Sequence, residues 1–202
     1  MKTSQLTILF FVFGIILASC SDDEPLRPNQ IDEGVVINNV RWATRNVDAP
    51  GTFADNPENA GWHYQWNRKR GWSATSEYAN WNNSFPEGTE WESVNDPCPP
   101  NWRLPTESEI YLLHRAGSVW TTKNEITGRL FGTEPNQIFL PAAGARHNAL
   151  GMLLDSGFMG LYWSSTASEE PRAVSLHFDN RHYVMATGIR SNAFTIRCVA
   201  EN

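Results

Sequence analysis

Cys98-Pro99-Pro100-Asn101-Trp102-Arg103-Leu104-Pro105-Thr106-Glu107-Ser108-Glu109 joins a cysteine, an apolar Trp-Arg-Leu run and a helix start in one short stretch. Thr106 and Glu109 form a capping-box pair: the hydroxyl accepts from the Glu109 N–H, and the carboxylate accepts from the Thr106 N–H. Pro105 keeps the helix from starting earlier. The spacing predicts a helix over 107–116, with Gly117 free to adopt the left-handed stop.

Outward from this stretch, the pattern is mostly strand. Val35-Val36-Ile37 and Val40-Arg41-Trp42 flank Asn38-Asn39, a pair suited to a tight hairpin. Residues 48–97 are rich in Gly, Pro, Asn and Trp without a clean period, which predicts loops with short strands. Leu130-Phe131 reads as a short strand or turn. Val174, Leu176 and Phe178 alternate with Ala173, Ser175 and His177, as in a half-buried strand. A two-residue turn at Asp179-Asn180 would return Tyr183 and Met185 on the inner face. Phe194, Ile196 and Cys198 alternate again, which points Cys198 inward. One or two early helices followed by antiparallel hairpins predict an α+β domain.

A set of segments carries a resemblance. They are Val40–Asn46, Gly61–Trp66, Cys98–Glu109, Phe139–Arg146, Tyr162–Thr166 and Ile196–Val199, in that order. Trp102–Glu109 is similar to a signature of formylglycine-generating-enzyme and sulfatase-modifying domains. The ordered set more closely resembles the Fibrobacter succinogenes major paralogous domain, a family of secreted and lipid-anchored bacterial proteins. The resemblance covers about residues 34–202. It implies a C-type-lectin-like fold, whose ends meet on one sheet, and an exported life; it implies no common activity.

The N-terminal residues read as a targeting segment independently of any family. Lys2 precedes an apolar run from Leu6 to Leu17 that is too short to span a membrane. Leu17-Ala18-Ser19-Cys20 has the small-residue pattern of a lipoprotein cleavage site. This predicts a signal peptide over 1–19, lipidation of Cys20, and an acidic, polar linker over 20–33 that includes Ser21-Asp22-Asp23-Glu24. Several acyl chains on one residue would give a stable outer-membrane lipid anchor. Acidic residues directly after the lipidated cysteine resemble a surface-export signal of Bacteroidetes-type bacteria, so an outer-membrane protein facing the cell exterior is expected. The plainer reading of this segment is a solvated linker.

In that oxidising setting Cys98 and Cys198 remain to form a disulfide. Free thiols and a metal pair are the alternatives, and the lack of CxxC spacing argues against metal.

The formal net charge of −6 repels phosphate backbones, so no nucleic-acid partner is expected. Nine tryptophans suggest a loop-rich domain held by aromatic packing. Among them, Trp62, Tyr64 and Trp66 read as a structural strand. Trp72, Trp81 and Trp91, with Asn82 and Asn83, are the candidate ligand-binding residues, because aromatic faces stack on sugar rings and amides bond hydroxyls. Core packing is the competing reading for these rings.

Other constellations are weaker. Glu134-Pro135-Asn136 resembles the tripeptide with which C-type lectins hold calcium and sugar, but Phe178-Asp179-Asn180 poorly copies the partner strand. His177 and His182 would face each other across a two-residue turn, without a third ligand for zinc. Ser164 and Ser165 lack a nucleophile-elbow context. Arg103, Arg146 and Arg197 read as loop-pinning arginines rather than an anion site. The expectation is a non-enzymatic, lectin-like surface lipoprotein that binds a glycan or protein and needs no metal or cofactor. The alternatives are an accessory subunit of a fimbria-like complex and, less favoured, a divergent formylglycine-generating-type enzyme.

Overall fold

A computed structural model describes residues 31–75 and 80–201 of the chain. The expected signal peptide, Cys20 and most of the linker lie outside the described residues. In chain order, β1 (Val35–Ile37) and β2 (Val40–Trp42) come first, then β3 (Trp62–Gln65) and β4 (Gly71–Ser73). A 3₁₀ turn at Ser93–Asn95 precedes β5 (Trp102–Arg103) and the helix α1 (Glu107–Arg115). A meander of β6 (Ser118–Lys123), β7 (Ile126–Thr133) and β8 (Asn136–Pro141) follows, then β9 (Ala145–Arg146) and β10 (Leu153–Leu154). The chain closes with β11 (Gly160–Ala167), β12 (Arg172–Phe178), β13 (Tyr183–Ile189), β14 (Ala193–Phe194) and β15 (Val199–Ala200).

All strand pairings within the sheets are antiparallel. The orders are β1-β2-β15-β5, β10-β9-β14-β3-β4, β11-β12-β13 and β6-β7-β8. The protein is thus built of small antiparallel sheets with one α-helix among the described residues. The first and last strands share a sheet, through Val199 opposite Trp42.

The signature stretch folds as its residues dictate. Thr106 Oγ1 accepts from Glu109 N at 3.3 Å and Glu109 Oε2 accepts from Thr106 N at 2.8 Å, which completes the capping box. Arg103 grips the same carboxylate with two bonds of 2.8 and 2.7 Å, tying β5 to α1. Asp96 accepts from the N–H groups of Cys98 and Leu104, which fixes the bend before β5. Gly117, at φ +79°, supplies the left-handed stop. Cys98 and Cys198 are bonded, with Cα atoms 6.2 Å apart. In the hairpin, Asn38 and Asn39 both adopt positive φ, 49° and 66°, as a two-residue turn demands.

Two apolar cores share the β11-β12-β13 sheet between them. Tyr162, Leu176 and Phe178 on one face join Ile110 and Leu113 of α1, Phe131 of β7 and Trp42 of β2. Leu161, Trp163 and Ala173 on the other join Tyr64, Trp66, Phe194 and Cys198. The Trp163 and Phe194 rings stack with centroids 4.0 Å apart. Gly188 makes room for them, since a Cβ there would lie 2.4 Å from Phe194 and 2.6 Å from Trp163.

Three expectations are corrected. β12 is covered on both faces rather than half-buried, because the second core lies on the Ala173-Ser175 side. Leu130-Phe131 belongs to the eight-residue β7 at the centre of a meander, not to an isolated short strand or turn. The β12–β13 turn spans residues 179–182, held by Asp179 Oδ1, which accepts from the N–H groups of Arg181 and His182. His177 therefore pairs with Val184 and does not face His182.

Candidate functional site

The tryptophan segment folds largely inward. Trp72 is 4 % exposed on β4, its ring centroid 4.7 Å from that of Trp81. Trp91 is 7 % exposed and meets Trp66 edge-on at 5.9 Å. Neither ring offers a free face, so stacking of a sugar on Trp72 or Trp91 is ruled out by burial. Trp81 is half-buried, and its Nε1 donates to the Asn148 carbonyl at 2.6 Å.

Asn82 and Asn83 are exposed, with Asn82 Oδ1 accepting from Ser84 N. Their loop is pinned from below: Gln65 Nε2 donates to the Asn82 carbonyl, Arg68 to Ser84 Oγ, and Arg190 to the Pro86 carbonyl. Asn67, at φ +53°, accepts from Glu92 N and Asn95 Nδ2 through Oδ1, so it latches the segment rather than facing a ligand.

A second region gathers what the sequence scatters. A cleft of about 480 Å³ opens between the 56–60 segment, the β6–β7 turn, the end of β8 and the Ser156-Gly157 turn. That volume falls in the range of small-molecule sites. Glu58, with its side chain 8 % exposed, reaches Lys123 Nζ at 2.9 Å and accepts from Asn124 Nδ2 at 3.2 Å. Burial works to raise its pKa; the hydrogen bond and charge of Lys123 outweigh that and hold the carboxyl below its ordinary value.

The floor is tied down by backbone bonds. Ala142 N donates to the Thr127 carbonyl and Gly157 N to the Ala142 carbonyl, while Thr127 Oγ1 donates to the Gly157 carbonyl. The turn residues Asn124 and Glu125 both hold positive φ, 47° and 67°. No hydrogen bond among the described residues uses the Asn56 side chain, the Asn59 amide nitrogen or the Ser156 hydroxyl. None of these cleft residues stood out in the sequence, because four distant stretches supply them.

The remaining chemistry is spent on the scaffold. Arg197 is fully buried and donates to Asn46 Oδ1, the Ala43 carbonyl and the Phe139 carbonyl; burial pulls its pKa down to about 10. Arg146 donates to the carbonyls of Gly151 and Ser73. His177 packs edge-on against Phe194 and bonds Ser175 Oγ, and burial lowers its pKa to about 4. His63 bonds the Ala143 carbonyl, and burial likewise takes it to about 4.

Ser164 Oγ bonds the Val174 carbonyl. Glu134-Pro135 forms the β7–β8 connection, and Asn136 opens β8. Among the described residues no group of three His, Cys, Asp or Glu side chains is placed to hold a metal. No helix among them is long and apolar enough to cross a membrane. Comparison with models of known families, with curated proteins and with solved structures finds no match.

Proposed function

We propose that this chain is a lipid-anchored, exported binding module of C-type-lectin-like fold, without catalytic activity, facing the cell exterior. One observation supports the reading: buried arginines and histidines are bonded into the scaffold, while the Glu58 cleft presents amides and a hydroxyl, with no His, Lys or Arg in its lining to work with the exposed Glu125 carboxylate. Amides and hydroxyls recognise ligands by hydrogen bonds but lack the titration that acid–base or nucleophilic chemistry needs. The meeting of the first and last strands in one sheet supports the lectin-like assignment, as does the long-range disulfide. The family resemblance and Cys20 supply the anchor.

The test has two parts. Cys20→Ala is expected to move the protein from the membrane fraction to the soluble one, and unchanged partitioning defeats the anchor. Intact cells treated with protease are expected to lose the domain, which a periplasmic location would prevent.

A second reading, an accessory subunit of a surface complex, rests on the run Leu150, Met152, Leu154 and Phe158, each an exposed apolar side chain. Such a run on and around the short strand β10 is the kind of patch a partner covers. Crosslinking on intact cells that traps a stoichiometric partner at Phe158 would favour it.

A further inference from the structure

The Glu58 cleft matches one class of ligand better than others. Its lining carries two carboxylates, Glu58 and Glu125, and no Lys, Arg or His. Lys123 neutralises Glu58 from outside the lining, which leaves the cleft mildly acidic. Phosphates, sulfated sugars and other anions are therefore disfavoured. No aromatic ring lines it, so a planar ring system has nothing to stack on.

What the cleft does offer is a set of short, neutral hydrogen-bonding groups. Asn56 offers both a donor and an acceptor. Asn59 offers its amide nitrogen while its Oδ1 accepts from Asn56 N, and Asn124 offers its amide oxygen while its Nδ2 donates to Glu58, a mixture that suits hydroxyls, which both donate and accept. Ser156 adds a hydroxyl from the facing turn. Ile126, exposed on the surface, and Pro141 give an apolar strip suited to the C–H face of a pyranose ring.

Rigidity supports the same view. The Glu58 bonds to Lys123 and Asn124 join two walls, and the Thr127–Ala142–Gly157 backbone bonds join the floor to the third. A cleft already held open loses little entropy when it binds.

We infer that this cleft is a metal-independent subsite for a short neutral saccharide, with Asn59, Asn124 and Ser156 as the recognising side chains and Glu58 as the post that sets their spacing. This rests on the binding-module reading and places recognition away from the tryptophan loop.

The experiment uses the full-length lipoprotein in a zwitterionic, sugar-free detergent, titrated calorimetrically with cellobiose, chitobiose, and the methyl glycosides of glucose, galactose and mannose. Spermidine and glucose 6-sulfate serve as charged comparators. At least one neutral saccharide is expected to bind, equally well with and without EDTA. Asn59→Ala and Asn124→Ala should each weaken it by about tenfold, the loss of one or two hydrogen bonds. Ser156→Trp on the exposed turn should block it with an unchanged melting temperature, and Trp81→Ala should leave it intact.

Loss of binding in EDTA, or tighter binding of spermidine or glucose 6-sulfate than of every neutral sugar, overturns the inference. Saccharide binding that survives the three cleft variants and disappears in Trp81→Ala also overturns it, while leaving the binding-module reading in place. If no saccharide binds, the cleft assignment fails. Surface crosslinking to a protein partner then decides separately whether the module reading stands.

Discussion

The tryptophan segment and the Glu58 cleft are opposites in how they use their side chains. Between residues 62 and 91 the aromatic density is high, yet Trp66, Trp72 and Trp91 are buried, and the Asn67 amide and the Gln65 amide nitrogen are bonded internally. Around the cleft the residues are unremarkable in type and sparse along the chain, yet no hydrogen bond among the described residues uses the Asn56 amide, the Asn59 amide nitrogen or the Ser156 hydroxyl. The physical lesson concerns size. A tryptophan contributes most by being removed from water, so a domain built mainly of small sheets uses its rings as core. Free recognition chemistry is then left to small polar groups on turns that rigid strands hold in place.

That contrast can be broken first at the core. The disulfide that closes it spans a separation of 100 residues. On the chain-entropy model its removal costs about 4.7 kcal/mol. Cys98→Ala, Cys198→Ala and the double variant should lose equal stability in urea denaturation; additive losses would show that the two do not act as one bridge. Trp66→Ala comes next. Trp66 is wholly buried, packs on Trp91, and donates to the Ser164 carbonyl. Its truncation should cost about 3–5 kcal/mol, and a loss below about 1 kcal/mol would undo the claim that the segment is core.

The pH response gives a smaller effect. Unfolded, His63 and His177 take up protons near 6.5, but folded they refuse them until about 4. The unfolded state therefore binds more protons between those values, and stability falls as the pH drops from 6.5 to 4. The slope is about 1.4 kcal/mol per pH unit for a fully buried histidine, and less for the partly accessible His177. Urea midpoints measured at pH 7, 5 and 4 should decline, and His63→Gln should flatten the decline. Smallest is Asn59→Ala on the cleft wall, expected to change stability by less than about 0.5 kcal/mol. A large loss there would mean the wall is scaffold after all.

Legibility followed the range of the physical signal. The capping box, the Asn38-Asn39 hairpin and the inward Cys198 were readable, because each is a local rule met by adjacent residues. The β6-β7-β8 meander was not read. Gly128 and Gly132 interrupt the alternation of β7, and the Asn124-Glu125 turn uses a glutamate at positive φ, which signals no turn. Gly128 is there because a Cβ would meet the Leu140 carbonyl at 2.3 Å. That is a cross-strand fact with no local trace. The double burial of β12 was missed for a related reason: Ala173 and Ser175 are small, and the mass covering them comes from Trp163 and Phe194 elsewhere in the chain.

From the residues alone came the helix start, the alternation of the last strands and a net negative charge, since short-range geometry and charge need no partner to be read. The Cys98–Cys198 bond was expected from the count and spacing of the cysteines, and the structure decided it against free thiols. Tertiary structure alone decided which aromatic rings would be core, and that Glu58, Asn124 and Ser156 would meet across a cleft. Burial and proximity depend on where distant segments land, and spacing along a chain does not record that.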